Sequence, residues 1–128
     1  VNGFFYRLEI HKAGMPWMTA NDRWAWPRKA RAVRQWRDTT AWRSRSLPRL
    51  QAAHVVCELF FADRRRRDPG NWAPTAKACV DGLVDAGVLP DDDGKHLLGP
   101  DMRLGPPVAR AYVGLALVIY PQTELWDA

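Results

Sequence analysis

The chain has 128 residues, with 19 Lys and Arg against 14 Asp and Glu, a net charge of +5, 47% apolar residues and seven Trp. That length supports one domain spanning residues 1–128 and excludes a multidomain enzyme. The aromatic content excludes a wholly disordered chain. The longest apolar run, Tyr112 to Tyr120, is too short to cross a bilayer, so no membrane is expected. No charged-then-apolar leader precedes the first strand, and Cys57 and Cys79 lie in apolar runs without metal-like spacing. Together these predict a cytoplasmic protein with buried, reduced thiols.

Phe5 to His11 alternates, with Tyr6, Leu8 and Ile10 on one face, and reads as a half-buried strand. Met15 to Pro27 is irregular, with two prolines and three tryptophans. Arg28 to Arg45 reads as a helix that sets Ala32, Val33, Trp36 and Thr40 on one side and Arg31, Arg34 and Asp38 on the other. Leu47-Pro48 ends it. Ala52 to Ala62 is the strongest strand pattern, with Val55, Cys57, Leu59 and Phe61 opposed to His54, Val56, Glu58 and Phe60. The loop Asp63 to Gly70 leads to a second helix starting near Asn71, with Pro74 in its first turn and Gly87 as its C-terminal cap. Its apolar stripe is Trp72, Ala76, Cys79, Val80, Leu83 and Ala86. Lys77, Asp81 and Asp85 recur at four-residue spacing on the other side. Gly94 to Pro107 is rich in Gly and Pro and holds a short strand around His96 to Leu98. Ala111 to Tyr120 is apolar throughout and predicts a central strand buried on both faces. The order predicts an α+β fold, a small mixed sheet with two packed helices.

Charge is unevenly placed. Arg23 to Arg49 holds nine basic residues and one acid, Asp38, and the run Arg64-Arg65-Arg66-Arg67 follows. The acids gather at Asp81, Asp85 and Asp91-Asp92-Asp93. Basic side chains attract a polyanion, whereas clustered carboxylates repel one unless a divalent cation lies between them. A charged run also forms an ordinary solvated surface.

The sequence Asp63-Arg64-Arg65-Arg66-Arg67-Asp68, then Asn71, then the segment from Lys77-Ala78-Cys79-Val80-Asp81-Gly82-Leu83 to Pro90-Asp91-Asp92, resembles the RusA family of Holliday junction resolvases. These are small, mostly phage-derived endonucleases. Asn21-Asp22-Arg23 is similar to the family's N-terminal Asn-Arg loop. The resemblance implies a homodimer that binds four-way DNA junctions and cuts them, in a Mg²⁺-dependent or Mn²⁺-dependent reaction, at symmetric positions. It implies catalytic roles for Asp68, Asp92 and Lys77, with Asp68, Asp91 and Asp92 at the metal. It sets Arg64, Arg65, Arg66 and Arg67 against DNA. Arg23, Arg31 and Arg34 join these as candidate DNA contacts. One position departs from the family pattern: Gly70 stands where a second catalytic Asp is expected, and Asp93 or Asp101 is the candidate replacement.

That chemistry suits these residue types. Phosphodiester hydrolysis builds negative charge on the phosphorane-like oxygens and the leaving oxygen, which bridged cations and a nearby lysine neutralise. Two other readings stand beside it. The first, prompted by Gly70, is a non-catalytic protein that binds branched DNA on the same fold. The second is a basic regulator that reads duplex DNA with the Arg28-to-Arg45 helix, although a strand follows Pro48 where a helix-turn-helix needs a helix. Trp17, Trp24, Trp26 and Trp36 are expected to be core or dimer anchors, or, within Met15 to Pro27, platforms for exposed bases.

Overall fold

A computed structural model of the chain describes residues 4–123. The alternating segments form strands β1 (Tyr6–His11) and β2 (Ala52–Phe60), and the apolar C-terminal run forms β4 (Gly114–Gln122). Helices α1 (Trp26–Arg43) and α2 (Ala73–Asp85) flank β2 in sequence, and β3 (Leu97–Leu104) follows α2. The sheet order is β1-β4-β2-β3. β4 pairs antiparallel with both β1 and β2, whereas β2 and β3 run parallel. The expected mixed sheet with two packed helices is therefore present, and β4 lies inside it as its pattern required.

One face of the sheet carries the core. Leu8, Ile10, Val55, Cys57, Leu59, Leu115, Leu117 and Ile119 pack with Ala32 and Trp36 of α1 and Ala76, Cys79 and Leu83 of α2. Trp36 is wholly buried, lies stacked on Trp17 at 5.3 Å, and donates its indole N–H to the Pro16 carbonyl at 2.7 Å. Such a stack adds about 0.5–1.5 kcal/mol beyond the burial itself. The helices approach most closely at Gly82, where a Cβ would stand 2.4 Å from the Arg37 carbonyl oxygen and 2.9 Å from Thr40 Cβ. Arg37 then clamps the Asp85 carboxylate with two hydrogen bonds of 2.6 and 2.8 Å. Among the described residues, no helix packs on the opposite face of the sheet. Ala116 and Val118 of β4 are nonetheless buried there, among the side chains of neighbouring strands.

Several boundaries differ from the sequence reading: α1 and β2 end two residues earlier, at Arg43 and Phe60, and β4 begins at Gly114 rather than Ala111, because a 3₁₀ turn, Arg110–Tyr112, precedes it. α1 begins at Trp26 rather than Arg28, because Pro27 fits its first turn. A 3₁₀ turn, Pro69–Trp72, precedes α2, so Asn71 caps nothing and Asp68 caps that turn by accepting from Gly70 N at 3.1 Å. β3 runs on to Leu104 through a bulge, and the register shifts between His54 and Val56. Gly99 at the bulge has φ +99°, and a Cβ there would meet the Val55 carbonyl at 2.4 Å. Gly87 does close α2, with φ +81° and its N–H on the Val84 carbonyl. Both thiols are buried and unbridged. Burial raises the pKa of both, Cys79 to about 12.

Candidate nucleic-acid interface

β2 ends at Phe60, and the arginine run leaves the sheet directly after it. Asp63 organises this turn. It accepts from Arg65 N at 3.0 Å and from the Arg67 guanidinium at 2.8 Å. The Arg67 bond first, and the backbone bond next, hold the Asp63 carboxyl below the ordinary carboxylate range. Arg67 also lies over the Phe61 ring at 3.9 Å, and its side chain is only 12% exposed. It is a structural member of the turn. Arg64, Arg65 and Arg66 remain exposed, the Arg65 side chain 77% so.

Beside the turn lies an open basin of about 830 Å³. Arg65, Arg66, Arg67, Asp68, Gly70 and Asn71 form one wall, and Trp17, Asn21 and Trp72 line the remainder. The Asn21 loop is tied to the turn through Ala20 N on the Asn71 carbonyl at 2.8 Å. The two segments that the resemblance singled out, Asn21 and Arg64 to Asn71, thus meet around one concavity. The Trp72 indole N–H, beside the same basin, is buried and has no acceptor among the described residues.

A second group of charges lies on α2. Lys77 Nζ donates to Asp81 at 2.7 Å and to Asp92 at 2.6 Å. The helix delivers the chain to Gly87, and the segment after it doubles back along α2 to bring Asp92 to Lys77. Lys77 is the fifth residue of α2, so its backbone lies about 6 Å along the axis from the first residue of the helix. Partial burial works against the Lys77 ammonium, but the bonds to both carboxylates outweigh it and raise its pKa. The Lys77 bond holds Asp92 below the ordinary range. The Asp92 N–H donates to Asp91, which is exposed.

The candidate replacements for the Gly70 carboxylate lie elsewhere. Asp93 holds His96 at 2.6 Å, and that bond lowers its pKa. Asp101 holds His54 at 2.6 Å on the helix-free face of the sheet, away from α2. Among the described residues, no three His, Cys, Asp or Glu side chains gather into a group able to hold a metal ion. As placed in the single chain, Asp68, Asp91, Asp92, Asp93 and Asp101 do not fit a closed Mg²⁺ or Mn²⁺ site.

Arg31 and Arg34 are exposed on α1, and Arg23 is exposed just before it. Two tryptophans of α1 lie exposed, outside the core. Trp26 is 78% exposed, and Trp42, not singled out in the sequence, is 64% exposed. Helical position alone marks Trp42, which follows Asp38 by four residues on the polar side of α1. No helix among the described residues is long and apolar enough to cross a membrane. No protein-family model matches the chain, and a search of curated proteins finds no match either.

Proposed function

We propose that this chain is a structure-selective endodeoxyribonuclease that acts on four-way DNA junctions as a homodimer. The observation that carries this reading is the basin, where the exposed Arg65 and Arg66, Asp68 and Asn21 border one concavity. Arginines there suit phosphate oxygens, bidentately where the fork fits. Their charge supplies affinity without sequence preference, as a reader of DNA shape requires. Lys77 is a further cation near the same end of α2. A two-fold symmetric junction is matched most simply by a closed dimer. The Mg²⁺ or Mn²⁺ implied by the resemblance belongs to the proposal, although the carboxylates of one chain do not enclose it.

A second reading, a non-catalytic binder of branched DNA, is favoured by the pairing of Asp92, Asp93 and Asp101, each with its own basic side chain. One experiment separates the two. Purified protein is incubated with an end-labelled synthetic four-way junction, with Mg²⁺, Mn²⁺ or EDTA, beside a linear duplex. The nuclease reading expects paired cuts in the junction, none in EDTA, and loss of cutting with retained binding in Asp68→Asn. A Cβ at Gly70 meets only Asp68 Oδ1, at an ordinary 3.5 Å, so Gly70→Asp fits and serves as a gain-of-ligand variant. Tight junction binding without cutting selects the second reading. Equal affinity for junction and duplex overturns both.

A further inference from the structure

We infer that the outward face of α1 is a second nucleic-acid surface, one that takes unpaired strand. The inference rests on the reading above only in assuming that DNA is the ligand, since it concerns a different surface. Arg31, Gln35, Asp38 and Trp42 are all exposed and follow one another at helical spacing down a single stripe. Arg28 and Arg34 flank this stripe. Arg31, Arg34 and Arg43 form no ion pair with any carboxylate among the described residues; Asp38 is the one acid of α1, and Asp85 of α2, which borders the groove beside Arg34, is already held by Arg37. The charge therefore favours a polyanion.

The aromatic contribution favours bases over phosphate alone. Trp42 is 64% exposed, although burying an indole is strongly favourable and helix α2 and the sheet lie on the other side of α1. Arg45 lies over the Trp42 ring at 3.7 Å and donates to the Trp42 carbonyl at 2.7 Å, which fixes the guanidinium against the indole. The remainder of the ring stays in water. A planar cation on an indole beside unpaired arginines is the combination that binds single strands, with phosphates on the cations and a base on the ring. Duplex hides its base faces within the stack, so Trp42 gains nothing from it. The surface is also continuous with the basin in sequence: Asn21 lines the basin, and Arg28, stacked on Trp24 at 4.2 Å, begins the helix face. α1 is about 27 Å long, enough for a few nucleotides of extended strand leaving a branch point.

The test measures fluorescence anisotropy of labelled oligothymidylate and of a blunt four-way junction with the wild type, Trp42→Ala and Trp42→Phe. Sodium polyglutamate serves as competitor. Trp42 is exposed, so both variants are expected to melt with the wild type. The inference expects Trp42→Ala to bind oligothymidylate about tenfold more weakly. Trp42→Phe should retain most of the affinity, and both variants should bind the blunt junction as the wild type does. Oligothymidylate affinity unchanged in Trp42→Ala overturns the inference and leaves the junction reading standing. Polyglutamate competing as well as oligothymidylate at equal charge also overturns it, and marks the face as a dock for an acidic protein. Oligothymidylate binding that depends on Trp42, without junction preference, supports the inference and removes the junction reading.

Discussion

Lys77 holds two carboxylates, and the pH dependence of each partner follows from its shift. Asp92 is held below its ordinary value, so its pairing stabilises the fold fully above about pH 3.9 and is lost as pH falls through the lower folded value. Lys77 is raised, so its contribution is complete below about pH 10.4 and is lost as pH rises through the higher folded value. Both partners are substantially solvated, with side chains 59% and 32% exposed, so the energetic effect is small and salt-sensitive. The positional effect is larger, because this contact draws the segment after α2 back along the helix. In Lys77→Ala, the Asp92 carboxyl midpoint is expected to rise toward about 3.9, while Asp93, held by His96, stays where it is. Carboxyl carbon chemical shifts followed against pH would show this. An unmoved Asp92 would mean that another group holds it.

At the level of elements, Gly82 shows how a motif residue is used for packing. Its three-residue context in the resemblance, Asp81-Gly82-Leu83, reads as chemistry in the sequence, yet the glycine is where α1 and α2 touch backbone to backbone. Ala is the better helix former by about 0.8–1.0 kcal/mol, but a Cβ 2.4 Å from the Arg37 carbonyl oxygen must push the helices apart. Gly82→Ala is therefore expected to lower unfolding free energy by about 1–3 kcal/mol in urea titration. Equal or greater stability would show that the helix pair yields freely. Most elements were legible because their patterns are local: alternation in β1 and β2, the 3.6-residue stripe in α2, and an apolar run for the interior β4. β3 was read short because Gly99-Pro100 signals a break, and only pairing with β2 turns that signal into a bulge within a continuing strand. The cap at Asp68 was missed for the same reason, since a 3₁₀ turn before a helix has no periodicity of its own.

For the molecule as a whole, the residues bordering the basin were legible as types, but their grouping was not. Asn21 and Asp68 are brought to one concavity by a backbone bond between distant loops, and Asp101 is carried to the opposite face by strand parity, neither of which spacing reveals. The structure also divides the arginine run. Arg67 is committed to Asp63 and Phe61, whereas Arg64 and Arg66 are exposed and form no ion pair among the described residues. Replacing Arg64 and Arg66 together with Ala is expected to flatten the dependence of log binding constant on log salt by about two units. An unchanged slope across a salt titration of junction binding would make them ordinary solvated surface. The helix-free face of the sheet has a different electrical character. Arg7 is shared between Glu9 and Glu58, Asp101 holds His54, and Arg103 lies beside Glu58. Two arginines there stand against three carboxylates. Cations are concentrated on α1 and the Arg64-to-Arg67 turn, whereas acids gather on and beside α2 at Asp81, Asp85 and Asp91 to Asp93. In the field of a polyanion so uneven a surface experiences a torque before it makes any contact, which turns α1 and the arginine turn inward and the acidic side of α2 away.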